Sequence, residues 1–523
     1  STTDKLFQKV QMKNSIDKDL EGNVEDVIVT ACAIQATDIP DINLTLGDNG
    51  NLGKDVLDQV YTIFLNQSGH QTPRPDNGNK PQEDKTAVLM SGEQIGAKMK
   101  KLAGNSQATS KSKDTAITAI QRSSSAPSES VMQASDSLIS TGDSGNPVYM
   151  WFEDGTIKWW SEAKEINTGS SLKNLCYDIE NLTDISGLRE WNTENTTDIS
   201  GTFYSTKLSN LDDLYMWNVS NVTDMSGIFS NCSQLTDIRS IHEWNVSNVT
   251  NIASAFSYCE NLEDIGPLSN WNVSSVKKMP WIFEGCKQLD DINALSEWNV
   301  SNVTDMNSLF SDCVKLSSTN ALADWDTGNV TNMSGIFSDC EKLRSISALS
   351  RWNTSNVATM NNLFGSCRAL ENIEALSDWN TSNVADMSGM FQSCSISSLT
   401  PLSGWNVGNV TNMETMFAGC NKIETLSPIT SWQVNNVTSM FKMFDSCTAL
   451  KDLTYMSKWN VGKVTDMQDM FYNCENLTDT HALNSWNISS VTNFDGMFEG
   501  CPSHPNFTKR PGTWNNGTYT PTT

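Results

Sequence analysis

From residue 191 onward the apolar positions recur with a fixed period. Trp stands at 191, 217, 244, 271, 298, 325, 352, 379, 405, 432, 459, 486 and 514, spaced by 27 residues with two intervals of 26 and a last one of 28. One unit, residues 217–243, reads WNVSNVTDMSGIFSNCSQLTDIRSIHE. Its apolar positions Val222, Met225, Phe229 and Cys232 are spaced 3, 4 and 3, the period of one face of a short helical segment. Leu235, Ile238 and Ile241 then follow every third residue, which fits the strand and turn of a solenoid coil. Each coil is predicted as a short strand near 234–238, a turn, a Trp corner and a helical or 3₁₀ return through 224–230. A unit this short buries its apolar face only against its neighbours, so the array must stack. Twelve units start between Trp191 and Trp486. At the ~4.8 Å spacing of parallel strands they would span roughly 55–60 Å.

Two interior columns follow from the register. Phe229, Phe256, Phe283 and Phe310 begin a series that continues at 337, 364, 391, 417, 444, 471 and 498. Three residues after each comes a Cys: Cys232, Cys259, Cys286, Cys313 and onward to Cys501. Burying one Phe is worth roughly 1.5–3 kcal/mol, and the column repeats that gain in every coil. Of the 13 Cys, 11 belong to this series and none forms a CxxC or Cys/His set, so they read as free, buried, small apolar side chains. Thiols one coil apart are too distant to bond without distortion. Cys176 reads as buried in a cap, and Cys32 receives no reading. The Asn and Thr of WNVSNVT match glycosylation sequons at Asn218 and Asn221. The repeat itself generates those triplets, and the preferred reading is that the side chains satisfy corner backbone groups lacking ladder partners.

With these residues in view, the repeat resembles the BspA-type leucine-rich-repeat surface proteins, whose units read WNxSNVTxMxxMFxxCxxLxxLxxLxx. The resemblance covers about residues 147–523. Residues 155–163 look like the family's N-terminal capping segment, and residues 507–514 like its closing segment. The unit at 191–216 departs from it, with Thr206 for the Cys and Asn195-Thr-Thr for Asn-Val-Thr, as a terminal coil would. The resemblance implies an α/β solenoid: a leucine-rich-repeat-like right-handed coil of about 12 repeats with parallel strands. It also implies adhesion or recognition on a bacterial, phage or protist surface, and no catalysis.

Residues 1–146 contain no Trp and no repeat. They are expected to form a small, mostly helical or extended attachment region. The division predicted is 1–67 attachment or oligomerisation segment, 68–146 linker and short helices, 147–190 N-terminal cap, 191–500 repeats and 501–523 C-terminal cap. An amphipathic helix is expected within the first 22 residues, and short helices at GEQIGAKMKKLAG and DTAITAIQ. So little apolar surface implies order through self-association or a partner. The opening from Asp4 to Lys9 is similar in style to the N-termini of phage tail and fibre proteins.

Charge and chemistry narrow the function. The net charge is −26, of which −5 falls in residues 1–150 and −21 in residues 151–523. Such an acidic chain repels phosphate backbones and anionic membranes, so no nucleic acid is expected as partner. No run of about 18 apolar residues exists, so no membrane insertion is expected either. The N-terminus shows no apolar leader, and Ser1 fits either loss of an initiator Met or prior cleavage of a signal. The C-terminus shows neither a hydrophobic tail nor a sorting motif. Gly142-Asp-Ser-Gly145 resembles a serine-protease nucleophile loop, but the only upstream His is His70, within a Pro-rich linker. The other His, at 242, 481 and 504, form no ligand set, and no glycine-rich phosphate loop precedes a helix. No enzyme, cofactor, metal or catalytic residue is expected.

Outward residues of the expected strand give the candidate binding strip: Asp237, Glu263, Asp264, Asp290, Asp291, Glu371, Glu424, Asp452 and Asp479. Such an acidic column also serves simply to keep an extended sheet soluble. The partners expected are a host or cell-surface protein or glycan, other structural proteins through residues 1–146, and further copies of the chain. The leading expectation is a virion fibre or decoration protein exposed on a virion surface. The alternative is a secreted or cell-surface bacterial adhesin whose signal peptide has been removed.

Overall fold

The computed structural model of the protein describes residues 86–522. The expectations for 1–67, the linker up to residue 85, Cys32 and His70 lie outside the described residues.

In the coil 217–243 every backbone N–H of the segment 225–232 has a named acceptor. Met225, Gly227, Phe229 and Asn231 donate to Asn251, Ala253, Ala255 and Ser257 of the next coil, at 2.7–3.1 Å. Between them Ile228, Ser230 and Cys232 donate three residues back, to Met225, Gly227 and Phe229. Ser226 donates to the Asp224 carboxylate at 2.9 Å. The result is a ribbon of turns, alternately closed on itself and laddered to its neighbour, that leaves no buried donor unpaired. Every fourth residue takes a left-handed conformation, here Gly227 (φ 61°) and Asn231 (φ 61°). Parallel bridges run coil to coil through the column Asp198, Asp224, Asn251, Lys278, Asp305 and onward to Asn493.

This corrects the predicted layout of a coil. The laddered segment is 224–231, read from sequence as the helical return. The stretch 234–238, read as the strand, is tied by backbone N–H to the preceding coil only through Thr236 and Asp237, both to Ser209, before a 3₁₀ turn at Arg239–Ile241. Such a turn recurs from Ser186–Leu188 to His481–Ser485, and the coils contain no α-helix. The 3, 4, 3 spacing is common to one helical face and to this turn ribbon, so periodicity alone could not separate them.

The core is a set of parallel columns. Phe rings stack without interruption from Phe203 to Phe498, with centroids 5.0–6.0 Å apart. Each indole from Trp217 to Trp486 donates to a 3₁₀-turn carbonyl of the coil before it, at 2.9–3.3 Å. The indole of Trp191 breaks this series, because the segment before it is the strand-rich cap, and its Nε1 has no acceptor. Trp thus clips one coil to the next by a hydrogen bond while burying its rings.

Both ends of the ladder are closed by non-repeat structure. At the N-terminal end, strand β1 (Thr86–Val88) pairs in parallel with β5 (Glu165–Asn167), which pairs with β6 (Trp191–Asn192). A second sheet joins β2 (Ala119–Arg122), β4 (Thr156–Ser161) and β3 (Val148–Glu153) in that order. Helix α1 (Gly92–Leu102) begins with a capping box formed by Ser91 and Gln94 and lies directly on the first coil. A Cβ on Gly92 would sit 2.4 Å from the Leu172 carbonyl carbon, and one on Gly96 2.5 Å from the Leu175 oxygen. Only glycine permits that approach. Gly92 N–H donates to Ser171 O, and the buried Lys100 ammonium to Tyr177 O, so helix α1 satisfies acceptors that a preceding coil would otherwise serve. Burial lowers the Lys100 pKa to about 8. At the other end the hairpin of β7 (Gly512–Asn515) and β8 (Thr518–Pro521) receives Phe498 N–H on Gly517 O and packs Trp514 edge-on against Phe498.

Residues 86–146 are therefore part of the folded cap, not the linker read from sequence. Ala87, Leu89, Ile95, Met99, Ile117, Ile120 and Ile139 are all buried in the same core as the coils. The expected helix at GEQIGAKMKKLAG forms, whereas DTAITAIQ supplies β2. Ile120 of β2 and Ile117 just before it are both buried, because β2 finds a parallel partner in β4 that local sequence does not reveal.

Candidate interaction face

The acidic strip divides into two columns with different tasks. Asp237, Asp264, Asp291, Asp452 and Asp479 each accept, through Oδ1, the backbone N–H two residues on, at 2.8–3.1 Å. Asn210, Ser318, Asn372, Ser398 and Thr425 do the same in other coils. That N–H opens the 3₁₀ turn and has no ladder partner, so a short polar acceptor is required there whatever the surface does. The charge on Asp237 is further engaged by Arg239, which holds its carboxyl below the usual range; His481 does the same for Asp479.

Glu263, Asp290, Glu371 and Glu424 stand one residue earlier and are exposed. Their column also holds Arg344 and Lys451, so it is not uniformly acidic. Asp290 accepts from the Ser317 hydroxyl at 2.8 Å, Glu371 from Lys422 at 2.7 Å and Glu424 from Lys451 at 2.5 Å. The two lysines lower the Glu371 and Glu424 pKa values. These are solvent-screened pairs across coils, of small individual energy.

A stability contrast follows. Asp264→Ala and Asp291→Ala should each cost about 0.5–1.5 kcal/mol, the net worth of one lost hydrogen bond. Asp290→Ala, on the neighbouring column, should stay within about 0.5 kcal/mol. Urea denaturation of the three variants decides it, and equal losses at positions 290 and 291 would remove the distinction.

The remaining polar columns are also committed to the fold. From Asn221 to Asn436, eight Asn side chains donate to a carbonyl of the preceding coil at 2.6–2.8 Å. Asn218 and its counterparts accept the N–H two residues on, as in the bond from Ser220 at 3.0 Å. Attaching a sugar to Asn221 Nδ2 would compete with its bond to Glu194 O, 2.8 Å away. The thiols do more than fill space: each from Cys232 to Cys501 donates to the carbonyl of the preceding coil's Phe, at 2.9–3.2 Å. Phe229, Cys232, Phe256, Cys259, Phe283, Cys286, Phe310 and Cys313 all lie in these columns and are at most 1% exposed. Burial pushes the Cys232 thiol up to about 11 and the Cys420 thiol up to about 12, far from a reactive thiolate.

Ser144 of the protease-like tetrapeptide accepts from Val88 N–H and donates to Asn146 O, a turn bond set with no base beside it among the described residues. Nor do the described residues bring three or more His, Cys, Asp or Glu together as a metal site.

What sequence reading passed over is the face of the laddered ribbon. Its outward positions change from coil to coil, and two of them hold large aromatics, Tyr258 and Trp281, at 39% and 38% exposure. Both have left-handed backbones, with φ of 57° and 58°. An aromatic in a column filled mostly by Gly, Ser, Asn or Asp, with Thr415 and Lys442 as the other departures, was a usable signal, but only once the left-handed columns were known.

Comparison with known proteins places this repeat. Among the solved structures that resemble the chain are the following three. A leucine-rich cell surface protein from Faecalibacterium prausnitzii A2-165 shares 16% identity, covers 83% of this chain and 96% of its own, and gives a TM-score of 0.31. A leucine-rich repeat protein from Eubacterium ventriosum shares 16%, with coverages of 45% and 78% and a TM-score of 0.24. One from Bacteroides ovatus shares 13%, with coverages of 64% and 76% and a TM-score of 0.25. No curated protein matches the chain. One family model, described as "Mycoplasma protein of unknown function, DUF285", matches six times, at residues 170–291, 260–372, 288–396, 314–426, 368–479 and 421–520. These overlapping windows run through the whole laddered array, and the chain belongs to that family.

Proposed function

We propose that the chain is a non-enzymatic, surface-exposed recognition protein whose capped solenoid presents the ribbon face and the adjacent outward columns to a partner. One observation carries this reading. Phe, Trp, Cys, corner Asn and turn-capping Asp are each bonded or buried coil after coil, so the positions free to differ are the outward ones of the ribbon and of the adjacent column. A long rigid array of identical interior and variable exterior is suited to extended contact with a macromolecule. The nucleophile candidates fit the same reading, since the interior thiols are buried and Ser144 is held in a turn. The BspA-type resemblance of the repeat supports a bacterial cell surface as the setting. A virion-borne fibre or decoration protein is the second reading, favoured by the opening from Asp4 to Lys9. In both, residues 1–85 attach to other structural proteins or to further copies of the chain.

Immunogold electron microscopy with an antibody raised against residues 170–520 tests it on intact source cells and particles. Gold on the outer surface is expected, and its position on envelope or virion separates the two settings. Gold confined to the interior of sectioned cells would end the proposal.

A further inference from the structure

Among the described residues five large apolar side chains are notably exposed, and two of them, Tyr258 and Trp281, stand on the ribbon face of successive coils. Neither place is one that folding alone would fill with a ring. Column-mates of Tyr258 are Asn231, Gly285 and Asp312; those of Trp281 are Gly227, Ser254 and Ser308. Bulky residues are disfavoured at positive φ, and each ring is also left in water. The Tyr258 ring is held in place nonetheless. A Cβ on Gly285 would lie 2.6 Å from its Cδ1, so the ring rests on the glycine of the next coil.

Carboxylates surround this platform. The Tyr258 phenol hydrogen-bonds Glu284, which lies three residues after Trp281 and is bonded to it through the backbone at 3.3 Å. Glu260 and Asp312 flank it, sharing the single Lys287 at 2.9 and 4.0 Å. Burial, then repulsion from Asp312, raises the Glu284 pKa; burial, with repulsion from Asp339, Glu260 and Glu341 partly offset by Lys287, raises that of Asp312. Negative charge here exceeds the local positive charge, beside two electron-rich ring faces. That combination is complementary to a guanidinium or ammonium group, through cation–π attraction and charge-assisted hydrogen bonds.

We propose that Tyr258 and Trp281, with Glu284 between them, dock an arginine- or lysine-bearing segment of a partner protein on the ribbon face. The proposal rests on the recognition reading above and gives it a place and a partner chemistry.

The test uses the full chain and a fluorescein-labelled tetra-arginine peptide, titrated by fluorescence anisotropy at about 0.15 M salt to screen long-range attraction. The variants are Trp281→Ser and Tyr258→Asn, singly and together, each introducing a residue its own column already uses. Net charge is unchanged in all of them. The double variant should bind about tenfold more weakly, the loss expected for two cation–π contacts. Its thermal midpoint should be equal to or above that of the parent, because the left-handed backbone is relieved. Unaltered affinity in the double variant would overturn the proposal, leaving bulk charge as the cause of binding. No binding by the parent chain would overturn it too, while the surface-labelling experiment would still stand on its own result. Trp281-dependent binding of a neutral cello-oligosaccharide in place of the peptide would replace the cationic partner by a glycan.

Discussion

Raising the pH from about 8 to about 10 in the presence of a reductant is expected to destabilise the solenoid, with a urea midpoint that falls steeply above the ordinary thiol range. The cause is the sulfur column. In ten thiols, from Cys176 to Cys447, burial is the leading effect and raises the pKa above its ordinary 9.0. A buried thiolate would lose hydration and also the S–H bond to the neighbouring Phe carbonyl. The unfolded chain gives up these protons near the ordinary value, whereas the folded chain keeps them. Above that value the unfolded state therefore binds fewer protons, and stability falls with pH; below it the contribution is fully present. For Cys232 the loss runs from about 9 to about 11. Each thiol contributes a slope of about 1.4 kcal/mol per pH unit, so ten together reach about 14 kcal/mol one unit above their ordinary pKa. At roughly 0.05–0.15 kcal/mol per residue an array of this length holds on the order of a few tens of kcal/mol, so the loss is a substantial share of it. Urea titrations followed by fluorescence of the buried indoles, at half-unit steps of pH, measure the slope directly. Replacing Cys313 by Thr, the residue that Thr206 supplies in the same column, should flatten it by one thiol's share. A midpoint that stays level across this range would contradict the buried sulfur column.

The period and the interior columns were legible because they depend on side chains that recur. Phe229, Cys232 and Trp217 announce their roles by spacing alone. The path of the backbone between them was not legible, because a 3, 4, 3 apolar spacing is shared by a helix and by the turn ribbon that forms. What decides between them is the alternation of N–H groups between the next coil and three residues back, and those bonds leave no mark on hydrophobicity. Gly227 and Asn231 did leave one, as left-handed residues four apart, which no α-helix tolerates repeatedly. The cap failed differently. Gly92 and Gly96 look like helix weaknesses in sequence, and their purpose appears only when the Leu172–Leu175 backbone is seen beneath them.

The candidate strip shows the same limit at the surface. Asp264 and Glu263 are adjacent, exposed acids, yet Asp264 accepts a turn N–H while Glu263 stands on the column one residue earlier. Charge alone could not divide them, since a turn acceptor and a solvated carboxylate are both acidic and both outward. Position relative to the 3₁₀ turn divides them, and the Asn, Ser and Thr that replace Asp at this place in other coils were the available clue. Tyr258 and Trp281 are the complementary case: they lie outside the recurring Phe and Trp columns, and only the backbone places them on a face where they cost stability.

Truncating the middle of the ring stack, Phe310→Ala, should cost about 3–5 kcal/mol, the range for removing a fully buried aromatic and leaving a cavity. Phe310 is completely buried, with Phe283 at 5.8 Å and Phe337 at 5.9 Å, both within 9° of parallel. Its removal strips both neighbours of a stacking partner, worth roughly 0.5–1.5 kcal/mol for each aromatic pair beyond the area lost. Cys313 and Cys340 meet the carbonyls of Phe283 and Phe310, so the backbone there has little freedom to close the gap. Because each coil is stabilised chiefly by its two neighbours, a weak junction in mid-array also divides the cooperative unit. The variant should therefore unfold in a broader or two-step transition, the blocks before and after residue 310 separating. Phe498→Ala offers the contrast: its ring is stacked on one side by Phe471 and met edge-on by Trp514 on the other, so its loss should loosen only the C-terminal end and leave a single main transition. Calorimetry of the two variants distinguishes them. If Phe310→Ala melted in one sharp step within about 1 kcal/mol of the parent, the coils would not be held by ring-to-ring contact, and the Trp and thiol hydrogen bonds would have to carry the array.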